Sequence, residues 1–183
     1  MRTPLTTARG FSLLETVFAI SLLSVAVLGL AGVMAAGLKQ LGGAPSHVIA
    51  AQKAAQAVES VYAARDSHKL TWAQIRNVDG GSGDDNGVFL DGPQTLKLSG
   101  SDGLVNTADD DQAVEETDLP GPDGLLGTTD DKRIVLDAFT REISIREVTD
   151  GGGQLRVITV TITYPTGNTR QTYTLTTYIS AYA

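Results

Sequence analysis

One long apolar run opens the chain and three alternating runs close it. From Phe11 to Leu38 every side chain is Leu, Val, Ala, Ile, Phe, Met, Gly, Ser or Thr, with the single exception of Glu15. At about 1.5 Å per residue, roughly 28 helical residues reach about 42 Å, more than the roughly 30 Å hydrocarbon core of a bilayer. The pattern predicts a membrane-spanning helix. Gly42, Gly43 and Pro45 then disfavour a helix interior, so a kink or local melting is expected across Lys39–Pro45. Ser46 is placed to cap a second helix reaching about Arg65, with Val48, Ala51, Ala55, Val58 and Tyr62 as its apolar stripe. Thr71 and Gln74 have capping-box spacing, which predicts a short helix from Trp72 to Val78 and a core role for Trp72.

The last third alternates with period two. Phe139–Val148 places Arg141, Ile143, Ile145 and Glu147 in one register. In Leu155–Tyr164, Ile158, Val160, Ile162 and Tyr164 oppose Thr159, Thr161 and Thr163. In Thr169–Ser180, Tyr173, Leu175 and Ile179 oppose Thr172, Thr174 and Thr176. β-branched and aromatic enrichment makes each a strand, and Asp150–Gly153 and Pro165–Asn168 supply the turns. Three antiparallel strands laying apolar faces on the Val48–Tyr62 helix are expected.

Between helices and strands the character changes. Asp79–Asp131 holds 14 of the 21 acidic residues and one basic residue, Lys97. Glycine is dense and apolar periodicity nearly absent, a composition that predicts loop or disorder. Yet Asp102-Gly-Leu-Val-Asn-Thr-Ala-Asp-Asp110 and Asp123-Gly-Leu-Leu-Gly-Thr-Thr-Asp-Asp131 share the form Asp-Gly-Leu-x-x-Thr-x-Asp-Asp, six of nine positions matching. Clustered Asp repel one another unless a cation neutralises them, and glycine allows turns that aim oxygens inward. Calcium takes six to eight such hard oxygen ligands, so Asp102, Asn106, Asp109, Asp110, Asp123, Asp130 and Asp131 are the candidate metal ligands. The spacing is not that of an EF-hand. Two readings stay open, calcium loops or a solvated acidic surface.

The 183 residues suit a membrane segment and one modest domain, and the net charge of −7 argues against general nucleic-acid binding. There is no cysteine. His47 and His68, the only histidines, lie in no metal-site spacing, and no nucleophile motif or phosphate loop is evident. An enzyme is not expected.

The first ten residues carry Arg2 and Arg9 and no acid, a flank that tends to stay cytoplasmic. A secretory signal peptide fits poorly, because its apolar region should be about 7–15 residues. A plain anchor explains the length but gives Glu15, a carboxylate costly in lipid, no purpose. Gly10-Phe11-Ser12-Leu13-Leu14-Glu15 resembles the processing site of type IV prepilins and type II secretion pseudopilins, and Val25–Val33 resembles the PilV-type minor pilins. The resemblance implies cleavage between Gly10 and Phe11 by a prepilin peptidase, N-methylation of Phe11, and an assembly role for Glu15. Its partners would be the inner membrane and other pilin or pseudopilin subunits, with the C-terminal domain outside the cytoplasm. Processing leaves 12 basic against 21 acidic residues, a net charge of about −9.

The same resemblance implies one long N-terminal helix, half anchor and filament core, half packed under the domain. Many pilins close a C-terminal loop with a disulfide, which this chain lacks. Asp-Gly-x-x-Gly-Thr-x-Asp-Asp segments in extracellular bacterial proteins look like calcium-stabilised loops, and calcium loops occur in some pilins and pseudopilins. The expected fold is therefore α+β: a pilin-like long helix on a C-terminal antiparallel meander, with an acidic Gly/Asp-rich insert. Its parts are a leader (1–10), an assembly helix (11–38), a helical segment (39–78), the acidic loops (79–133) and the sheet (134–183). A minor pilin of a type IV pilus is the first expectation. A minor pseudopilin, a competence pilin and an anchored calcium-binding module outside any filament are the alternatives.

Overall fold

The structure, a computed structural model, describes residues 12–41, 44–78, 86–149 and 152–182. The chain forms two compact units, Met1–Gly42 and Gly43–Ala183. The described residues of the first form one helix, α1 (Leu13–Leu41), started by Ser12, whose Oγ accepts the Glu15 N–H at 3.2 Å. Leu13–Gly37 is long and apolar enough to cross a membrane, and none of it is buried within the chain.

The second unit begins with α2 (Ala44–Asp66). It starts two residues before the expected cap, because Pro45 fits a first helical turn, where its missing N–H is not needed. The interruption expected across Lys39–Pro45 centres on Gly42 and Gly43, which lie outside the described residues. The buried stripe of α2 also differs from expectation. Ile49, Ala50, Ala54, Ala57, Val58, Val61 and Ala64 face the core, while Val48 is 53% exposed and Ala55 lies outside. Alanine so fills this helix that several stripes fit a 3.6-residue period. The sheet selects the one whose small residues let the backbones approach closely.

Six strands follow: β1 (Gln94–Thr95), β2 (Glu116–Leu119), β3 (Lys132–Val135), β4 (Thr140–Glu147), β5 (Leu155–Thr166) and β6 (Thr169–Ser180). β4, β5 and β6 form the expected antiparallel meander, and β1 adds a short fourth strand beside β4. The predicted faces hold. Arg141, Ile143, Ile145, Ile158, Val160, Ile162, Tyr164 and Ile179 are buried, with Tyr173 and Leu175 half-buried beside them. α2 packs on β5 and β6.

The inner face also covers part of the loop region. Phe89, Leu96 and Leu104 belong to the same core as the sheet residues, so the first part of the stretch read as loop or disorder is docked. The helix predicted from Trp72 to Val78 is a single tight turn, Trp72–Gln74, in which Gln74 Oε1 accepts the Thr71 N–H. It ends early because Asn77 turns away to the sheet: its Nδ2 donates to Ile143 O and its Oδ1 accepts Ile145 N–H, both at 2.7 Å. Trp72 is half-buried, donates to Gly153 O at 2.7 Å and lies under the Arg156 guanidinium at 4.1 Å.

Candidate functional site

Two regions gather the residues singled out in the sequence. The first is the start of α1. Gly10 and Phe11 lie outside the described residues. Glu15 is the third residue of α1, and a helix N-terminus carries partial positive charge that suits an acid. Between Ser12 and Gly37 the remaining hydroxyls return their hydrogen bonds to their own helix: Thr16 to Leu13 O, Ser21 to Val17 O and Ser24 to Ile20 O, each at 2.8 Å. Such back-bonding removes their need for water in an apolar medium. The Glu15 carboxylate has no hydrogen-bond or ion-pair partner among the described residues. The large apolar residues within a turn of it, Leu13, Leu14, Val17 and Phe18, are all exposed.

The second region is the repeat. Each copy is the connecting loop of a β-ribbon. Lys97 bridges Val114 across the first, and Leu119 pairs with Lys132 across the second, the end of the β2–β3 hairpin. The same hydrogen bonds recur inside each loop. Asp102 Oδ1 accepts Leu104 N–H at 2.8 Å, and Asp123 Oδ1 accepts Leu125 N–H at 2.9 Å. The Thr107 hydroxyl donates to Asp109 at 2.8 Å, and that of Thr128 to Asp130 at 2.6 Å. Asp110 accepts Asn106 N–H at 2.8 Å, and Asp131 accepts Gly127 N–H at 2.6 Å. The carboxylates therefore organise the loops that composition alone makes disordered.

The structure extends the repeat backwards by two residues. A Cβ on Gly100 would stand 2.2 Å from Asp109 O, and one on Gly121 would stand 2.3 Å from an Asp130 carboxylate oxygen. Both loops need glycine there. At the matching positions Asn106 and Gly127 the backbone is left-handed in both, φ 61° and 87°.

The loops differ in what they touch. Leu104, Asn106 and Thr107 are buried, whereas Leu125 and Leu126 are exposed. Asn106 explains the difference: its Nδ2 donates to Arg141 O and its Oδ1 accepts Arg141 Nε–H, both at 2.8 Å. Arg141 Nη1 donates to Glu115 Oε1 at 2.9 Å, and Lys53 of α2 meets Glu115 Oε2 at 2.7 Å. A buried chain of polar groups thus runs from the first loop through β4 to α2. None of Lys53, Glu115 or Asn106 was legible in this role from periodicity, because each partner is far away in sequence. Arg141 stood out only as a charge in the apolar register of its strand.

The candidate metal ligands are sorted by this geometry. Asp102, Asp109 and Asp110 share one loop, and Asp123, Asp130 and Asp131 share the other; no hydrogen bond joins the two sets among the described residues. Asn106 has both amide atoms committed to Arg141. Among the described residues no group of three or more His, Cys, Asp or Glu is arranged to hold a metal ion. Burial, then the charges of Asp109 and Asp110, push the Asp102 carboxyl above its ordinary value despite the Leu104 N–H. Hydrogen bonds hold two others below it, the Thr107 hydroxyl first for Asp109 and the Thr128 hydroxyl first for Asp130. His47 Nδ1 lies 2.9 Å from the Tyr164 hydroxyl, and His68 lies just past α2 with φ 55°. Compared with protein-family models, curated proteins and solved structures, the chain matches none.

Proposed function

We propose that this chain is a structural subunit of a type IV pilus or related filament, a minor prepilin cut after Gly10, methylated on Phe11 and assembled through α1. The observation that carries the reading is the character of α1: exposed and apolar from Leu13 to Gly37, its hydroxyls satisfied internally, and its one carboxylate without a partner among the described residues. Lipid covers such a helix in the membrane, and like helices would cover it in a filament, where burial contributes about 25 cal/mol per Å². There the methylated amine of Phe11 on a neighbour would donate a charge-assisted hydrogen bond to Glu15. That pairing selects one axial stagger. Intact mass of the membrane-extracted protein tests the processing, which requires a chain beginning at Phe11 with one added methyl. Glu15→Ala tests the assembly role. Cleavage should persist while incorporation into filaments is lost, and normal incorporation overturns the assignment. A minor pseudopilin of type II secretion would share these properties, and its filament partners distinguish it.

The loops support a second property, calcium binding. Asp102 is held against two like charges, Asp109 and Asp110, which a bound cation would neutralise. The donors are hard oxygens of the kind calcium takes, and Asp123, Asp130 and Asp131 repeat them in the second loop. The carboxylates now accept their own loops' N–H and O–H groups, so a cation would use their remaining lone pairs. Calcium should raise the melting temperature and a chelator lower it. Identical melts with no heat of binding by calorimetry would remove calcium from the account and leave the filament reading untouched.

A further inference from the structure

Every sheet has two edges, and an uncovered one invites another strand. On the β4 side outward backbone groups at Arg141, Ile143 and Ile145 are already bonded. β1 pairs with Thr140 and Arg141, Asn106 bonds Arg141 O, and the Asn77 amide bonds Ile143 O and Ile145 N–H. The other edge is β6. In an antiparallel pair every second residue bonds the neighbour and the alternate ones point away. Ala181 N–H bonds Gln154 O, and Arg156 stands opposite Ile179, so the odd-numbered residues of β6 bond β5. Arg170, Thr172, Thr174, Thr176, Tyr178 and Ser180 therefore turn their backbone outward. Side chains of α2 cover the last two: Tyr62 donates to Tyr178 O at 2.6 Å and Arg65 to Ser180 O at 3.0 Å. No hydrogen bond reaches the outward groups from Arg170 to Thr176 among the described residues.

We propose that this open stretch pairs, antiparallel and edge to edge, with the same stretch of a second copy about a twofold axis at Tyr173. The register follows from the limits of the gap. It sets Thr172 opposite Thr174, Arg170 opposite Thr176, and Tyr173 opposite its own copy, so every outward N–H and C=O between Arg170 and Thr176 finds a partner. Cross-strand Thr–Thr and aromatic pairs are favourable, and no like charges meet. Arg170, the one charge in the stretch, reaches inward across the sheet to Ala138 O at 3.4 Å instead of guarding the edge. Tyr173 and Leu175, half-buried at the rim of the core, gain cover. The strands of the small ribbon are poorer occupants, since β2 and β3 carry Glu116, Asp118, Lys132 and Arg133. Both copies use the same β6 edge in this pairing, so it is isologous, closes as a dimer and does not propagate.

The chain has no cysteine, so single introduced thiols report the register cleanly. In the full-length protein, Tyr173→Cys occupies a close, non-hydrogen-bonded pair facing itself and should form a disulfide-linked dimer under mild oxidation. Gln171→Cys, opposite Leu175 of the other copy, should not. Adding Thr174→Pro to Tyr173→Cys removes only an outward N–H and should abolish the cross-link while leaving the fold's thermal transition in place. Because Tyr173 also packs against His47, a mixture of Thr172→Cys and Thr174→Cys chains serves as the second arm; it should cross-link where neither does alone. Absence of cross-linking in both arms, equal cross-linking through Cys at 171 and 173, or a dimer indifferent to Thr174→Pro overturns the proposal. Association through α1 alone would give that last result.

Discussion

Asn106 shows how much one side chain decides in this domain. Its left-handed backbone matches Gly127 in the second loop, yet only Asn supplies the amide that serves both Arg141 O and Arg141 Nε. Asn106→Gly should keep the turn and cost about 1–3 kcal/mol, the penalty of buried groups left unpaired. Asn106→Ala should cost about 1–2 kcal/mol more, since its Cβ is strained at positive φ. Urea melts that rank Ala above Gly would break the account. Glu115 is 6% exposed between two cations, so Glu115→Ala should cost about 3–5 kcal/mol by stranding Arg141 and Lys53. The aspartates supply a test by pH, done in chelator. Asp109, held low, stabilises fully above the unfolded carboxyl pKa of about 3.9, and that contribution is lost as pH falls through its lower folded value. Asp102, raised, behaves oppositely: its contribution is full below about 3.9 and is lost as pH rises through its folded value. Asp102→Asn should therefore raise the melting temperature near neutral pH and Asp109→Asn lower it, with both differences shrinking below about pH 4. Thermal melts across that range check the signs.

At the scale of elements, the two helices illustrate different physics. α1 is specified by composition, and its environment must be apolar whatever surrounds it. Leu23→Lys near its middle should cost about 2.5–3.5 kcal/mol of membrane insertion, measurable as loss of the inserted fraction in a glycosylation-site translocation assay. α2 is specified by its sheet. The strands were legible because period two was sustained over eight to twelve residues with threonine marking the outer face. The ribbons of the acidic region were not, because β2 is four residues long and exposes Glu116 and Asp118. What makes it a strand is its partner β3, with Arg133 bonding Asp118 at 3.1 Å.

For the whole molecule, the chain divides into two compact units. The second has its own core, built from α2, the sheet and the docked first loop. A chain beginning at Ala44 should therefore fold and remain soluble, while the full-length chain should partition with membranes. A truncated chain without a cooperative thermal transition would show that α1 contributes to the domain's fold.

Sequence by itself determined the elements whose cause is local. A run of apolar residues fixes a helix with no interior to fold into, alternation fixes strand faces, and the repeated Asp-Gly-Leu-x-x-Thr-x-Asp-Asp fixes two equivalent turns through bonds within each loop. Tertiary structure decided what depends on distant partners. It chose which face of an alanine-rich helix is buried, why one loop docks and its copy does not, and how Arg141 is paired inside the core. It also decided which edge of the sheet stays open. Those outcomes depend on hydrogen bonds and packing between residues tens of positions apart, and a local pattern carries no record of them.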